Sequence, residues 1–163
     1  MRVGFTCSAF DLLHAGHILM LEEAKTQCDF LIVGLQTDPT VDRKEKNKPI
    51  QSVVERYIQL KAVTYVDQII PYTYESDLEE IFRSFPISVR IIGDEYKEKQ
   101  FTAKDICAGR GIEIYFNRRD HHFSSSELRN RTYRIEYQKK GEFDEVSPNK
   151  WQSCRCKRWQ CNI

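Results

Sequence analysis

Short apolar runs punctuate this chain: residues 3–7 (VGFTC), 30–35 (FLIVGL), 67–71 (DQIIP), 89–93 (VRIIG) and 112–116 (IEIYF). Runs of this length with no polar alternation predict strands buried on both faces. Between them the period changes. Ile18, Leu21, Ala24 and Cys28 recur at helical spacing, as do Val54, Tyr57, Ile58 and Ala62, while Leu78, Ile81, Phe82 and Phe85 follow i, i+3, i+4, i+7. Helix starts are marked by Ser52 with Glu55, Thr102 with Asp105, and Ser124 with Glu127, each a capping residue followed three positions on by a carboxylate. Strand and helix alternate, which predicts an α/β fold: a doubly wound, Rossmann-like, five-stranded parallel sheet with helices on both faces and right-handed crossovers. Such sheets bind ligands beyond the carboxyl ends of their strands, where the strand order reverses.

From about residue 133 the pattern stops. Residues 133–163 show no clear period, much charge and a Cys-x-Cys-x4-Cys cluster, so residues 1–132 are expected to form the domain and the rest an irregular C-terminal extension. A chain of 163 residues suits one domain with a single core. Lys+Arg 25 against Asp+Glu 24 leaves a formal net charge of +1, so no overall field favours nucleic acid or a membrane surface, and neither is expected as a partner. No apolar run approaches the ~18 residues of a membrane span, and MRVGFTCSAFD lacks the zones of a signal peptide. A cytoplasmic protein is expected. Cys7, Cys28 and Cys107 lie in apolar or helical contexts that suit reduced, buried thiols. Cys154, Cys156 and Cys161 are one ligand short of a closed zinc site, and no metal ligands are assigned. Trp151 and Trp159, set among Lys150, Arg155, Lys157 and Arg158, read as part of a tail.

The chemistry concentrates in AFDLLHAGHILML, residues 9–21, where Phe10, Asp11, His14, Gly16 and His17 lead from the first strand into the first helix. Backbone N–H groups at a helix start are unpaired and partly positive, so a phosphate is a natural ligand, and a glycine lets it approach. Two imidazoles there add donors for phosphoryl oxygens. The loop between Asp38 and Ser52 carries Arg43, Lys44, Lys46 and Lys48, a basic stretch that is either a solvated charge run or a contact for an anion. Near the end, FSSSELRNR places serine hydroxyls at another helix start, which suits phosphate again.

The stretch FDLLHAGH resembles the signature of the nucleotidylyltransferase superfamily with the His-x-Gly-His motif. The run from Met1 to about Arg131 is most similar to glycerol-3-phosphate cytidylyltransferases, through TDPTVDRKEKNKPI, ERYIQLKAVTYVD, IIGDEY and RRDHHFSSSELR. This resemblance implies attack by a phosphomonoester oxygen on the α-phosphorus of a nucleoside triphosphate, with pyrophosphate leaving, Mg²⁺ as cofactor and no covalent enzyme intermediate. It implies catalytic roles for His14, His17, a loop lysine (Lys44 or Lys46) and Arg119. Nucleotide binding falls to Ala9, Phe10, Asp11, Gly16, Asp94, Ser124, Ser125, Ser126 and Arg129, and the substrate side to Asp38 and Arg56. A homodimer is also expected on this ground.

Three departures from the family pattern bear on substrate. The usual Gly-Thr-Phe-Asp or Gly-Cys-Phe-Asp is Ser8-Ala9-Phe10-Asp11, the usual Arg-Tyr-Val-Asp is Thr64-Tyr65-Val66-Asp67, and Arg-Thr-x-Gly-Ile is Arg119-Asp120-His121-His122-Phe123. The second removes a cation expected to hold the acceptor phosphate. The third alters the segment that reads the base, and it carries His121 and His122, which are loop histidines or part of the pocket wall. The expected reaction is therefore transfer of CMP from CTP to glycerol-3-phosphate or a related polyol or sugar phosphate. Two alternatives stay open: an adenylyltransferase using ATP on a sugar phosphate, flavin mononucleotide or pantetheine phosphate, and a non-catalytic nucleotide-binding module with a partner-binding tail.

Overall fold

The computed structural model describes residues 1–118 and 120–139. Five strands form one sheet: β1 (Val3–Ser8), β2 (Phe30–Gln36), β3 (Gln68–Tyr72), β4 (Val89–Gly93) and β5 (Glu113–Asn117). All neighbours are parallel, in the order β3-β2-β1-β4-β5. The helices are α1 (Ala15–Thr26), α2 (Val53–Lys61), α3 (Glu75–Ser84), α4 (Lys104–Gly109) and α5 (Ser125–Lys139), with a 3₁₀ turn at Asp94–Tyr96. This is the doubly wound α/β sheet read from the apolar runs.

Strand alternation builds a core on each face. Leu31, Val33 and Leu35 join Leu21 and Ala24 of α1 and Leu60 of α2, whereas Phe5 and Ile32 join Leu78, Ile81 and Phe82 of α3 and Cys107 of α4. A parallel sheet covered on both sides needs such near-continuous apolar strands. Pro71 lacks an N–H, and it lies in edge strand β3, where that loss is tolerated. Cys7, Cys28 and Cys107 are free thiols, and burial raises the pKa of each. Among the described residues no helix is long and apolar enough to cross a membrane.

Three expectations need correction. Helix α2 exists, but Val54 and Ile58 are 62% and 63% exposed and Tyr57 also faces outward, because the inward positions are Arg56 and Leu60. A buried arginine rotates the core face away from the apolar stripe. Thr102 does not cap α4: its hydroxyl donates to Glu75, and the N-cap is Ala103, with φ 64. Finally, the stretch from 133, expected to be irregular, continues α5 as far as Lys139. The cysteine and tryptophan cluster at 150–161 lies outside the described residues.

The sheet lies in the first of two compact units, Met1–Leu128. The second, Arg129–Ile163, is described as far as Lys139, where Tyr133 and Tyr137 bring their ring centroids within 3.9 Å. Within the first unit the chain runs β1, β2, β3 to one side and resumes with β4 and β5 on the other. The strand order therefore reverses between β1 and β4, which puts the ligand crevice beyond Ser8 and Gly93.

Candidate active site at the amino end of α1

Strand β1 ends at Ser8, and the chain reaches α1 through a tight loop in which Phe10 and Leu12 take φ of 50 and 51. A left-handed conformation costs a side-chain-bearing residue roughly 1–2 kcal/mol. Burial of the Phe10 ring, 1% exposed in the core under α1, offsets part of that cost. His14 is the N-cap of α1, and its Nδ1 accepts the Gly16 N–H at 3.1 Å. In the neutral ring the proton therefore sits on Nε2. The rings of His14 and His17 stack, with centroids 3.9 Å apart and planes at 20°, and the Phe10 ring lies 5.3 Å from that of His17. The first turn of α1 holds no acidic residue.

Two buried groups hold the surrounding loops. Asp11 accepts from the Ile50 and Gln51 N–H groups at 3.0 and 2.9 Å, while its carbonyl accepts from the Ser125 hydroxyl at 3.0 Å. Gln51 returns through its side chain, which accepts from the Leu12 N–H at 2.8 Å. Arg56, expected on the substrate side, is only 2% exposed. Its guanidinium donates to the carbonyls of Ala9, Gln36, Thr37, Gln51 and Ser52. Burial lowers its pKa, against the opposite pull of the Asp11 and Asp38 carboxylates. Arg56 thus ties the ends of β1 and β2 to the start of α2 and is a positioning residue.

The other expected residues divide. Asp94 follows β4 at the reversal point, half-buried, across from the β1 exit. Ser124 caps α5, accepting from the Glu127 N–H at 3.1 Å; the Ser125 hydroxyl donates to the Asp11 carbonyl and Ser126 is exposed. Lys44 and Lys46 are exposed, whereas Arg43 pairs with Glu75 at 2.9 Å and Lys48 approaches Asp38 at 3.9 Å. Asp38 turns inward to Thr40, whose N–H and hydroxyl hold its carboxyl below the usual range. Arg119 lies outside the described residues, and Arg129 belongs to the second unit.

Two further residues join the site: Gln51, which has no signal in the sequence, and His121, read there as a loop histidine or part of the pocket wall. Gln51 is one polar residue in a polar loop. His121 lies against Gly16: a β-carbon at Gly16 would fall 2.7 Å from its Cε1, 2.9 Å from the Phe123 carbonyl oxygen and 3.1 Å from His14 Cε1. Only glycine fits there. The described residues contain no group of three or more His, Cys, Asp or Glu able to hold a metal ion, and the Asp11 oxygen nearest the motif already accepts two amides. A protein-held Mg²⁺ site does not fit this arrangement. What the arrangement suits is an anion, near the positive end of α1 where imidazoles stand and the first turn carries no carboxylate.

Comparison with known proteins identifies the family. A family model described as cytidylyltransferase-like matches residues 5–131. The chain belongs to the cytidylyltransferase-like family. With it comes membership of the nucleotidylyltransferase superfamily expected from His14 and His17. The bifunctional protein HldE of Rhodopseudomonas palustris strain BisB5 is 39% identical over 115 residues, which are 70% of this chain and 23% of that protein. HldE of Caulobacter vibrioides is 36% identical over 115 residues, 70% of this chain and 24% of that one. The chain thus spans about a quarter of the length of the curated relatives it matches. Among solved structures, the lipopolysaccharide core biosynthesis protein of Thermoplasma volcanium GSS1 superposes with a TM-score of 0.60 at 26% identity, covering 74% of this chain and 99% of that one. Pantothenate synthetase of Thermus thermophilus, TM-score 0.57 at 14% identity over 86% of this chain and 71% of that one, shares the fold.

Proposed function

We propose that this chain transfers a nucleotidyl group from a nucleoside triphosphate, CTP in the first instance, to the phosphate of a small polyol or sugar phosphate. An oxygen of the acceptor phosphate forms a bond to the α-phosphorus. The bond from that phosphorus to the bridging oxygen breaks, and pyrophosphate leaves with the electron pair. The observation that carries this reading is the stacked pair His14 and His17 on the amino end of α1, at the reversal of strand order. In-line displacement at phosphorus depends on positioning and on charge stabilisation at the phosphoryl oxygens more than on a strong base. His14 supplies Nε2–H, His17 stacks beside it, and the Lys44–Lys46 stretch covers the outer phosphates. Mg²⁺ belongs to this proposal as the triphosphate's own counter-ion.

A sugar phosphate as acceptor is supported by the likeness to the Thermoplasma protein, whose name places it in lipopolysaccharide core biosynthesis. Thr64, in place of the arginine expected to hold glycerol-3-phosphate, favours the same direction. CTP is supported by the family's description. ATP is the second reading, because the segment Arg119–Phe123 departs from the cytidylyltransferase pattern. Incubation with CTP or ATP, Mg²⁺ and a set of sugar and polyol phosphates should release pyrophosphate with one triphosphate. His17→Ala should lower turnover about 100- to 1000-fold. Full turnover in His17→Ala overturns the site.

A further inference from the structure

A third imidazole reaches the amino end of α1. The segment after β5 returns over the start of that helix and sets the His121 ring against Gly16, where a β-carbon would lie 2.7 Å from His121 Cε1. Cε1 stands between the two ring nitrogens, so the edge of the ring that carries them is presented to the first turn of α1. Turning the ring by 180° about its own axis exchanges Cε1 for Nε2, and a nitrogen then faces Gly16 directly. Either setting brings hydrogen-bonding capacity to the same place. His14 arrives there too, its Cε1 3.1 Å from that β-carbon position.

His121 is held by packing. Its ring centroid lies 5.5 Å from that of Phe123, with the planes at 32°. Nδ1 is buried and has no hydrogen-bond partner among the described residues. Folded proteins pair nearly all such groups, and one left over at a ligand crevice calls for a partner that comes from outside the chain. Beside it stand the His14 imidazole and the positive end of α1, with no carboxylate in the first turn, a surrounding that suits an anion on the side away from the Phe123 carbonyl oxygen.

We infer that His121 is a third phosphate contact, donating to the triphosphate seated on the amino end of α1. This rests on the nucleotidyl-transfer reading above. It assigns Gly16 a second purpose, since the glycine admits the His121 ring as well as the ligand. It also links the segment that follows β5 to the phosphates, so that binding a triphosphate fixes the stretch from Asp120 to Phe123.

Titration calorimetry with CTP, ATP, CMP and AMP on the wild-type protein, His121→Ala, His121→Asn and His17→Ala tests the inference, with thermal unfolding of each ligand-free protein as the check on folding. For the triphosphate that binds, His121→Ala should raise Kd about tenfold, while Kd for the matching monophosphate moves less than about twofold. His121→Asn, which keeps a donor, should recover part of the loss. Unchanged triphosphate binding in a folded His121→Ala protein, with binding lost in His17→Ala, overturns the role of His121 and leaves the nucleotide site standing. Equal losses for triphosphate and monophosphate overturn it as well, because they point to a disturbed pocket. If the wild-type protein binds neither triphosphate, the nucleotidyl-transfer reading fails, and this inference with it.

Discussion

Helices α1 and α2 begin near the same end of the sheet, and the chain finishes their amino ends in opposite ways. The start of α2 is closed from within: Ser52 and Glu55 form a reciprocal capping box, and Arg56 one residue on is buried among five backbone carbonyls. The start of α1 carries a histidine cap, a glycine, a second histidine and no acidic residue in its first turn. A carboxylate at a helix start cancels the partial positive charge there; at α1 the Gly16 and His17 amides meet uncharged acceptors, the Nδ1 and the carbonyl of His14, and no carboxylate stands in the first turn. One end is therefore framework, and the other keeps its partial positive charge uncancelled by any carboxylate of its first turn.

The largest expected effect lies on the framework side. Arg56→Ala removes every bond from the guanidinium to Ala9, Gln36, Thr37, Gln51 and Ser52 and leaves a cavity in the wall. Truncation of a large buried side chain together with unsatisfied acceptors should cost about 3–5 kcal/mol. That is a large share of the roughly 5–15 kcal/mol of a typical domain. Arg56→Lys should recover only part, because a single ammonium does not span five carbonyls. Denaturant unfolding measures this. If Arg56→Ala keeps wild-type stability and loses only turnover, Arg56 contacts substrate and the contrast between the two helices disappears.

Asp11 stands between the two helices and sharpens the comparison. As a tether it needs only an acceptor oxygen facing the Ile50 and Gln51 amides, which Asn also supplies. Asp11→Asn should therefore lose no more than about 1 kcal/mol and keep most of its turnover, whereas Asp11→Ala frees two part-buried amides at a cost of roughly 1–2 kcal/mol. Steady-state kinetics beside unfolding curves separate the cases. A stable Asp11→Asn protein with turnover abolished would place the carboxylate charge on the phosphates or their metal ion.

How far the sequence discloses this arrangement depends on the kind of signal. The strands were legible because a parallel sheet buried on both faces imposes unbroken apolar runs, and VGFTC, FLIVGL and VRIIG show them. The His14–Gly16–His17 motif was legible because it couples a local spacing to a strand-to-helix turn. The inner face of α2 was not: Arg56 is buried for its hydrogen bonds, so the apolar period points to the wrong side. The Thr102 cap failed because its hydroxyl finds Glu75, a partner no local pattern includes. Residues 133–139 hid their helix because charged residues surround them and only Tyr133 and Tyr137, four apart, hint at a turn. His121 reaches Gly16 only through the fold, since nothing in a linear reading connects them.

The smallest expected effect concerns the cap of α2 alone. Ser52 Oγ accepts from the Glu55 N–H at 3.3 Å, and Glu55 accepts from the Ser52 N–H at 2.7 Å. Ser52→Ala should cost roughly 1 kcal/mol, the usual loss for an N-cap serine, and should leave nucleotide binding at α1 unchanged. The bonds from Ser52 hold the Glu55 carboxyl below its ordinary value. A depressed folded-state pKa means that this part of the stabilisation is present above the unfolded glutamate pKa, about 4.3, and is lost as the pH falls through the lower folded value. The gap in Tm between wild type and Ser52→Ala should accordingly be widest near neutrality and narrow as the solution is acidified below about pH 4. A gap independent of pH would mean that the carboxylate takes no part in closing α2, and the amino ends of the two helices would then differ in their hydrogen bonds but not in their charge.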